Sequence, residues 1–354
     1  MQALAVTGAK QFELQEIARP TATPGNVLIH VAYCGICGSD IPRYFNGAVF
    51  QTPQILGHEF AGIVASVGAG VTTIKVGARV AVAPFRPLSD PQTWPEGNPS
   101  LSTAEPANDH SFSFIGTKEP GGMAEWVVVP AANCVPLPAG VALHQAAMVE
   151  PLAVAIHAVD RISFPAGATV MVLGTGTIGL LTIAVLKARG AGKVIAVDIN
   201  PNKLAIAQQI GADVLINSQQ HALADFFKTE ALPQYVFEAA GNPVTEMQAL
   251  QYTACRGKIV YVGIGVQPLT FPAKTFENLM RRELTMTGSW NAYSAPFPGY
   301  EWTTALDYIK TGRIDTAQFI TGFYHLADQA TPFEEMVTPN SKQVKLMYEI
   351  SEQD

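Results

Sequence analysis

The sequence contains 354 residues, of which 48% are hydrophobic and 14% are charged, with a formal net charge of −7. A domain usually holds about 100–200 residues, so we expect two domains, and the high apolar content excludes a disordered chain. The acidic balance without a basic run excludes bulk nucleic-acid binding, and four cysteines are too few for a disulfide scaffold.

The N-terminal part of the chain is a series of short runs with β-like composition, separated by glycine and proline. These runs cover residues 27–32, 60–67, 79–83 and 124–129. Such a pattern predicts an irregular, mostly antiparallel β domain. A segment with six prolines and little periodicity, 84–106, interrupts this part, and we expect it to form a surface lobe or a flexible loop.

From about Pro165 the pattern changes to short apolar runs that alternate with helix-like segments. The apolar runs are 170–173, 194–197, 214–216, 235–238 and 259–262, and two of the helix-like segments are 178–189 and 202–209. Strands that alternate with helices at this spacing predict a doubly wound parallel sheet. After about Gly288 the sequence is rich in aromatic and turn residues, and we expect it to end in helical segments with charged faces.

One stretch, 162–186, contains no charged residue and is similar to a membrane span in that respect. It includes Pro165 and a glycine-rich turn, so we interpret it as a buried strand, a tight turn and a buried helix. The N-terminal segment carries charges throughout and lacks the apolar core of a signal peptide. We therefore expect a cytoplasmic protein with reduced thiols, without a membrane partner or a nucleic-acid partner.

A glycine-rich turn joins the first predicted strand of this second part to its helix. The turn reads Gly174-Thr175-Gly176-Thr177-Ile178-Gly179, which is the pattern G-x-G-x-x-G. Gly174 would permit the tight turn, Gly176 would let the backbone approach a pyrophosphate, and Gly179 would let the helix pack on the strand. Thr177 and Ile178, at the helix start, would offer N–H groups to the phosphates. The turn therefore predicts a dinucleotide site.

Asp198 ends the next predicted strand, nineteen residues beyond Gly179. A carboxylate there accepts hydrogen bonds from the ribose 2′-hydroxyl of NAD and repels the 2′-phosphate of NADP. Lys203 follows about one helical turn later and would close over the same ribose. The sequence therefore favours NAD over NADP. The alternative is a glycine-rich turn in an α/β domain that binds no nucleotide.

Two acidic residues lie in unusually apolar surroundings. Glu59 is the only charged residue within 44–74, and Glu150 is the only one within 126–159. Burying a carboxylate costs free energy unless it is paired or bound to a metal. Both residues are therefore candidates for a metal site.

Cys37 and His58 complete a set of sulfur, nitrogen and oxygen donors that zinc accepts. Taken separately, three of these residues also fit a structural role in place of metal binding. Cys37 would then be a small buried hydrophobe, His58 a hydrogen-bonded core histidine, and Glu150 the partner of an arginine.

The spacing of Cys34 and Cys37 allows two further interpretations, a redox dithiol and half of a zinc ribbon. A ribbon needs a second close pair, whereas Cys134 and Cys255 are isolated. A thioredoxin-like dithiol needs the motif at a helix start in a small βαβ domain, and here it follows a β-like run.

Together these residues resemble the zinc-dependent medium-chain alcohol and polyol dehydrogenases. Three segments are similar to motifs of that family: Gly57-His58-Glu59-x-x-Gly62-x5-Gly68-x-x-Val71 to its zinc signature, Cys37-Gly38-Ser39-Asp40 to its first-ligand motif, and Glu150-Pro151-Leu152 to its late glutamate. The resemblance covers nearly the whole chain. It implies a GroES-like irregular β domain with the zinc, residues 1–152 and 289–354, and a Rossmann domain that binds NAD, residues 153–288.

The resemblance also implies roles for five residues of the zinc site. Cys37 and His58 would be zinc ligands. Glu59 and Glu150 would share the remaining positions, directly or through water. Ser39 would be the hydroxyl that relays the proton of the substrate alcohol, whose hydride is transferred to NAD.

Many members of the family hold a second, structural zinc with four cysteines in a lobe after the third strand. The corresponding segment of this chain, 84–114, contains no cysteine. We therefore expect one catalytic zinc ion and no structural zinc.

Within the family, residues 39–43 and 288–302 resemble the galactitol-1-phosphate 5-dehydrogenases most. This implies a polyol or sugar-alcohol phosphate as substrate and a homodimer or homotetramer. The alternatives are a same-fold dehydrogenase for another secondary alcohol, such as sorbitol, butanediol, threonine or an aldonate, and a cofactor-binding protein without catalysis. Five cations are candidate phosphate partners or solvated surface charges: Arg43, Lys118, Lys274, Arg281 and Arg282.

Overall fold

The computed structural model describes residues 1–88, 112–265 and 267–351. The chain forms two compact units. The first unit contains Met1–Ala153, Ala292–Pro339 and the residues from Gln343 onward, and the second contains Val154–Asn291 and Asn340–Lys342. Residues 289–291 and 340–342, which the sequence assigned to the first domain, belong to the second unit, and Ala153, assigned to the second domain, belongs to the first unit. Residues 89–111 lie outside the described residues, and most of the predicted surface lobe and of the cysteine-free segment falls on them.

The strands, numbered along the chain, are β1 (Gln2–Gly8), β2 (Gln11–Glu16), β3 (Asn26–Gly35), β4 (Gln54–Ile55), β5 (Glu59–Val67), β6 (Arg79–Val82), β7 (Phe85–Pro87), β8 (Phe112–Phe114), β9 (Trp126–Pro130), β10 (Cys134–Pro136), β11 (Thr169–Leu173), β12 (Lys193–Asp198), β13 (Val214–Asn217), β14 (Tyr235–Glu238), β15 (Lys258–Tyr261), β16 (Thr285–Gly288), β17 (Ile320–Tyr324) and β18 (Lys345–Glu349). The helices are α1 (Asp40–Asn46), α2 (Leu143–Ala146), α3 (Val149–Asp160), α4 (Thr177–Ala188), α5 (Pro201–Ile210), α6 (Leu223–Phe226), α7 (Pro243–Gln251), α8 (Ala273–Arg281), α9 (Tyr300–Lys310) and α10 (Thr331–Met336).

The first unit is built on an irregular sheet in the order β10-β6-β5-β3-β18-β17, with β9 also paired to β3. Its strand pairs are antiparallel except for β17 and β18. Alternate residues of a strand share one face, and Val27, Ile29 and Val31 of β3 pack in one core cluster with Phe60 and Val64 of β5. This architecture confirms the predicted irregular β domain.

The C-terminal part of the chain differs from the expectation of helical segments. The helices α9 and α10 are present, but the last described element is the strand β18, which pairs with β3 on one side and with β17 on the other. Leu346, Met347 and Tyr348 are fully buried between these neighbours. The helical prediction is wrong here because pairing with a distant strand, rather than local sequence preference, determines the structure.

The second unit contains a six-stranded sheet in the order β13-β12-β11-β14-β15-β16. All of its strand pairs are parallel, and helices follow β11, β12, β13, β14 and β15. Met171, Leu173, Ile195, Val197 and Val236 belong to its buried core cluster. The unit confirms the predicted doubly wound parallel sheet of a Rossmann fold.

In the part of the chain that the structure describes, no helix combines the length and apolar character that crossing a membrane requires. The uncharged stretch 162–186 contains β11 and most of α4. It is therefore a buried strand, turn and helix, as its proline and glycines predicted.

Candidate metal and nucleotide sites

The pairing of β3 with β5 brings the predicted metal-binding residues together. β3 ends at Gly35, two residues before Cys37, and β5 begins at Glu59, directly after His58. The antiparallel register places Gly35 opposite Glu59. Residues that are distant in the sequence therefore meet at one end of this strand pair.

Cys37, His58 and Glu59 form a compact donor group. Each offers one potential ligand atom, and these atoms all lie within 4.8 Å of one another. His58 and Glu59 are buried, and Cys37 is partly buried. A thiol, an imidazole and a carboxylate at such separations are a donor set that zinc accepts. The structure thus brings together three of the four predicted ligands.

Glu150, the fourth predicted ligand, lies near the start of α3 and is 8% exposed. It is outside the donor group defined by the 4.8 Å separation. Burial raises the pKa of Glu150 to about 8; the charge of His58 opposes this shift, and those of Glu59 and Cys37 add to it. Glu150 therefore shares the electrostatic environment of the donor group.

The alternative role of Glu150 as the partner of an arginine does not apply within the described residues. Their arginine ion pairs involve other carboxylates, which belong to Asp40, Glu119, Asp160, Glu277 and Glu283. The buried charge of Glu150 needs another source of compensation.

Asp40, the first residue of α1, is a fully buried acid to which the sequence analysis assigned no role. Its Oδ2 atom accepts a hydrogen bond of 3.1 Å from the backbone N–H of Cys37, and its Oδ1 atom lies 3.6 Å from Nδ1 of His58. Burial raises the pKa of Asp40, while His58 and Arg43 act against that shift. Asp40 thus contacts two members of the donor group, as carboxylates behind metal-binding histidines often do.

Ser39 also touches the donor group. Its hydroxyl donates to Sγ of Cys37 at 3.4 Å, and its backbone N–H donates to the same sulfur at 3.5 Å. Its backbone carbonyl accepts a hydrogen bond from the guanidinium of Arg43. The predicted proton-relay hydroxyl is therefore next to a predicted ligand and partly buried.

Lys345 is a second residue at the donor group to which the sequence analysis assigned no role. It is the first residue of β18, is 1% exposed, and donates to the backbone carbonyl of Ile36 at 2.9 Å and to Oε2 of Glu59. Burial alone would lower the pKa of Lys345, but the charges of Glu59 and Cys37 outweigh it and raise the pKa overall. The available signal was a lone charge within the apolar run 344–348, the same signal that identified Glu59.

The electrostatics of the donor group fit a bound divalent cation. Burial raises the pKa of the Cys37 thiol to about 12; the charge of Glu59 adds to this shift, and Lys345 opposes it. A thiol beside buried carboxylates becomes a thiolate when a metal ion supplies compensating positive charge. Nδ1 of His58 and Oδ1 of Asp40 have no hydrogen-bond partner within 3.5 Å among the described residues, but they face each other at 3.6 Å, which leaves Nε2 of His58 for a metal.

The structure does not favour dithiol chemistry for Cys34 and Cys37. Both are free thiols, and Cys34 is fully buried. Burial raises the pKa of Cys34 well above its usual value. Because the thiolate is the reactive form, this cysteine is a poor nucleophile.

The glycine-rich turn of the second unit has the geometry that its sequence predicted. Gly174 has φ of +90°, and a Cβ atom there would lie 2.8 Å from Cβ of Ala240. A Cβ on Gly179 would lie 1.9 Å from the carbonyl oxygen of Gly174, so only glycine permits this close approach of helix and strand. A Cβ on Gly176 would have no described heavy atom within 4 Å, which leaves space beside the turn.

Helix α4 begins directly after Gly176, so the turn leads into a helix N-terminus. Thr177 is its first residue, and the carbonyl of Ile178 accepts a hydrogen bond of 2.8 Å from the hydroxyl of Thr182 within the helix. The N-terminus of a helix binds phosphate through its backbone N–H groups and the helix dipole. The space at Gly176 and the helix start therefore fit a dinucleotide pyrophosphate.

Asp198 ends β12 and is tied to the glycine-rich turn. Its Oδ2 atom accepts hydrogen bonds from the backbone N–H and the hydroxyl of Thr175, at 2.6 and 2.8 Å, and its Oδ1 atom accepts one from the N–H of Asn200 at 2.8 Å. Asp198 thus holds the turn, and its role at the ribose stays a prediction. Lys203 lies in the first turn of α5, where its N–H approaches Oδ1 of Asn200.

The five candidate phosphate partners divide between the two units. Arg43 lies in α1, 3.7 Å from Asp40, and Nζ of Lys118 lies 4.1 Å from the centre of the Phe112 ring. The other three lie in α8 or directly after it: Lys274, Arg281 and Arg282. Only Arg43 and Lys118 therefore belong to the unit that carries the donor group.

Two protein-family profiles match the chain. The alcohol dehydrogenase GroES-like domain matches residues 23–139, and the zinc-binding dehydrogenase domain matches residues 177–311. The chain belongs to the zinc-binding alcohol dehydrogenase family. This finding confirms the resemblance seen in the sequence motifs, and the protein is a zinc-dependent alcohol or polyol dehydrogenase.

Individual relatives agree with this assignment. Galactitol 1-phosphate 5-dehydrogenase of Escherichia coli K12 is 36% identical over 282 residues, which cover 79% of this chain and 80% of that protein. Sorbitol dehydrogenase of Bacillus subtilis is 29% identical over 358 residues, which cover 98% and 96% of the two chains. The relatives thus share the polyol dehydrogenase activity but differ in the substrate that their names give.

Solved structures show the same fold. Galactitol-1-phosphate dehydrogenase of Escherichia coli superposes with a TM-score of 0.89 at 30% identity, over 99% of this chain and 100% of that chain. An alcohol dehydrogenase of Escherichia coli CFT073, solved with NADH, superposes with a TM-score of 0.86 at 27% identity, over 99% of each chain. The family and the NADH-bound structure support zinc and NAD as cofactors.

Proposed function

We propose that this dehydrogenase oxidises a secondary alcohol of a polyol or sugar-alcohol phosphate, transferring its hydride to NAD. The observation that carries the proposal is the donor group, in which potential ligand atoms of Cys37, His58 and Glu59 lie within 4.8 Å of one another. Zinc bound there would act as a Lewis acid that lowers the pKa of the substrate hydroxyl. NAD bound at the glycine-rich turn would accept the hydride.

In the first unit, the proposal assigns the metal ligands and the residue that orients one of them. Cys37 and His58 are direct ligands in this proposal, and Glu59 and Glu150 occupy further positions directly or through water. His58 binds through Nε2, because its Nδ1 faces the buried carboxylate of Asp40. Asp40 therefore orients the ring and stabilises the form that binds a metal.

Ser39 is the proton acceptor in this proposal. Its hydroxyl lies 3.4 Å from Sγ of Cys37, so it is next to a ligand and also partly exposed. A hydroxyl in this position takes the proton of the substrate alcohol and passes it towards solvent. Ser39→Ala removes this relay and one hydrogen bond to Sγ of Cys37, while the backbone N–H of residue 39 still donates to that sulfur.

The second unit binds NAD in this proposal. The turn from Gly174 to Gly179 and the N–H groups of Thr177 and Ile178 hold the pyrophosphate. Asp198 accepts hydrogen bonds from the ribose and excludes a 2′-phosphate, and Lys203 covers the ribose. The remaining lone pairs of the Asp198 carboxylate allow it to bind the ribose while it holds Thr175.

A galactitol 1-phosphate-like substrate is the specific form of the proposal. The relative at 36% identity carries that substrate in its name. Arg43 and Lys118 supply two cations in the unit that holds the donor group, as a phosphorylated substrate requires. The proposal also includes one zinc per chain, a homo-oligomer and a cytoplasmic location.

A substrate panel tests the proposed function directly. The zinc-loaded enzyme is given NAD with galactitol 1-phosphate, galactitol, sorbitol, butanediol, threonine and an aldonate, and NADH formation is measured. We expect the highest kcat/KM with the sugar-alcohol phosphate and little reaction with galactitol. A higher kcat/KM with a neutral polyol would assign the enzyme to that substrate instead. No NADH with any alcohol would contradict the proposal.

A further inference from the structure

Lys345, Gly35 and Glu59 lie near the same end of three neighbouring strands, although the residue paired directly with Gly35 in β18 is Met347. β18, β3 and β5 are adjacent in the sheet, and each contributes one of the three residues near the same end. The side chain of Lys345 reaches past β3 and ends at Oε2 of Glu59 and the carbonyl of Ile36. The last strand of the chain therefore reaches the donor group.

Gly35 provides the space for this contact. A Cβ atom at Gly35 would lie 2.6 Å from Oε2 of Glu59 and 3.3 Å from Cδ of Lys345. Any side chain on this residue would displace the lysine or the carboxylate. Residues from three strands therefore contribute to one buried ion pair: Lys345 and Glu59 form it, and Gly35 leaves room for it.

The pair occupies one oxygen of a carboxylate that belongs to the donor group. Lys345 is 1% exposed and Glu59 is also 1% exposed, so water does not compete for this contact. A buried lysine that contacts a potential metal ligand opposes a metal ion in two ways. It holds one oxygen of the carboxylate, and its positive charge reduces the attraction of the site for a cation.

We propose that Lys345 is a positioning residue that keeps Oε2 of Glu59 away from the metal, so that Glu59 binds through one oxygen at most and a coordination position stays open for the substrate. This inference rests on the proposed function, because it assumes that the donor group binds zinc. Catalytic zinc sites need such an open position, whereas four permanent protein ligands produce a structural site. Lys345 therefore keeps the site catalytic at the cost of weaker metal binding.

The test measures zinc release from the loaded protein to an excess of chelator. In Lys345→Met, Glu59 loses its partner and becomes free to bind the metal with both oxygens. We expect zinc release to be about tenfold slower than in the wild type, while kcat falls. Lys345→Arg keeps the charge and the hydrogen bond, and it should release zinc at nearly the wild-type rate. A structural role alone would predict equal or faster release from a less stable protein.

Two further variants separate this effect from general changes. Lys345→Met combined with Glu59→Gln removes the freed carboxylate, and its zinc release should be faster than that of Lys345→Met. Lys193→Met removes an exposed ion pair with Glu230 and should leave zinc release unchanged. If Lys345→Met does not fold, Lys345→Gln keeps a donor for the carbonyl of Ile36 and serves in its place.

The outcomes distinguish this inference from the proposed function. Wild-type protein that holds no zinc, or that retains its zinc after Cys37→Ser, would overturn the proposed metal site. Wild-type protein that holds zinc through Cys37, together with equal or faster release from Lys345→Met, would overturn only the role of Lys345. Slow release that persists in the double variant would also overturn it, because Glu59 would then not be the freed ligand.

Discussion

The donor group of the first unit and the glycine-rich turn of the second use different means to prepare for a ligand. The turn consists of glycines, backbone N–H groups and one carboxylate, Asp198, which is hydrogen-bonded to Thr175 and Asn200. The donor group consists of buried ionisable side chains, and burial raises the pKa of its Cys37 and of Glu150, which lies outside the group but interacts with its charges. The carboxylate of Asp198 therefore has hydrogen-bond partners before a ligand arrives, whereas the ionisable groups of the donor group lie close together and largely buried.

This difference predicts that the two sites respond differently to perturbation. A site made of backbone geometry changes little when its ligand is removed, because its polar groups have other partners or face water. A site made of buried charges loses stability when its cation is removed, because repulsion and desolvation remain. The first unit should therefore depend on its metal far more than the second unit depends on its nucleotide.

The largest effect is expected from loss of a metal ligand. His58→Gln removes the imidazole of the donor group, and turnover should fall by about 10³-fold or more because the Lewis acid is lost. Binding of NADH, followed by its fluorescence, should stay close to that of the wild type. His221→Gln, an exposed change in the second unit, is the control and should alter neither quantity. Loss of NADH binding in His58→Gln would show that the two sites are not separable.

A smaller effect is expected at the nucleotide site. Asp198→Asn removes the negative charge that discriminates against a 2′-phosphate, so the preference for NAD over NADP should narrow by about tenfold in kcat/KM. Zinc content should not change, because the hydrogen bonds described for the Asp198 side chain come from Thr175 and Asn200 and not from the metal-binding residues. Asp213→Asn changes a carboxylate that bonds to Lys187 and the N–H of Val194, and it serves as the control. A wild-type enzyme that reduces NADP as efficiently as NAD would refute the role of Asp198.

The metal-free protein should show a pH dependence caused by Glu150. Its pKa of about 8 in the folded protein exceeds the ordinary value of 4.5, so the folded state binds a proton that the unfolded state has released between these pH values. The stability of the metal-free protein should therefore fall as pH rises from about 5 to 8. Thermal midpoints measured across this range report the change.

Glu150→Gln removes the titrating group. Between about pH 5 and pH 8, the thermal midpoint of this metal-free variant should therefore fall by a few degrees less than that of the metal-free wild type. The same variant should retain NADH binding, lose turnover and release zinc more readily if Glu150 contacts the metal. Unchanged zinc content and turnover, with only a lower thermal midpoint, would make Glu150 a structural residue.

Much of both sites could be predicted from local sequence. The glycine-rich turn, its strand and its helix are contiguous, so a pattern of six residues contains the whole feature. Glu59 and Glu150 were identified because each is a lone charge in a long apolar stretch. In both cases the signal and the structure occupy the same segment of chain.

The missed residues depend on contacts between distant segments. Lys345 binds Glu59 across 286 residues, through a strand that local preference had predicted as helix. Asp40 is buried beside His58, which directly precedes β5, and its position in the motif did not reveal this contact. The residues next to Asp40 in the sequence do not predict its burial, because a distant segment of the chain supplies the contact.

Zinc stoichiometry tests the central claim most directly. Elemental analysis of the purified chain should give one zinc per chain, which Cys37→Ser should abolish and the exposed change Cys255→Ser should leave in place. The account predicts that the zinc-free Cys37→Ser protein still binds NADH. Two tightly bound zinc ions per wild-type chain, or one that Cys37→Ser retains, would contradict it.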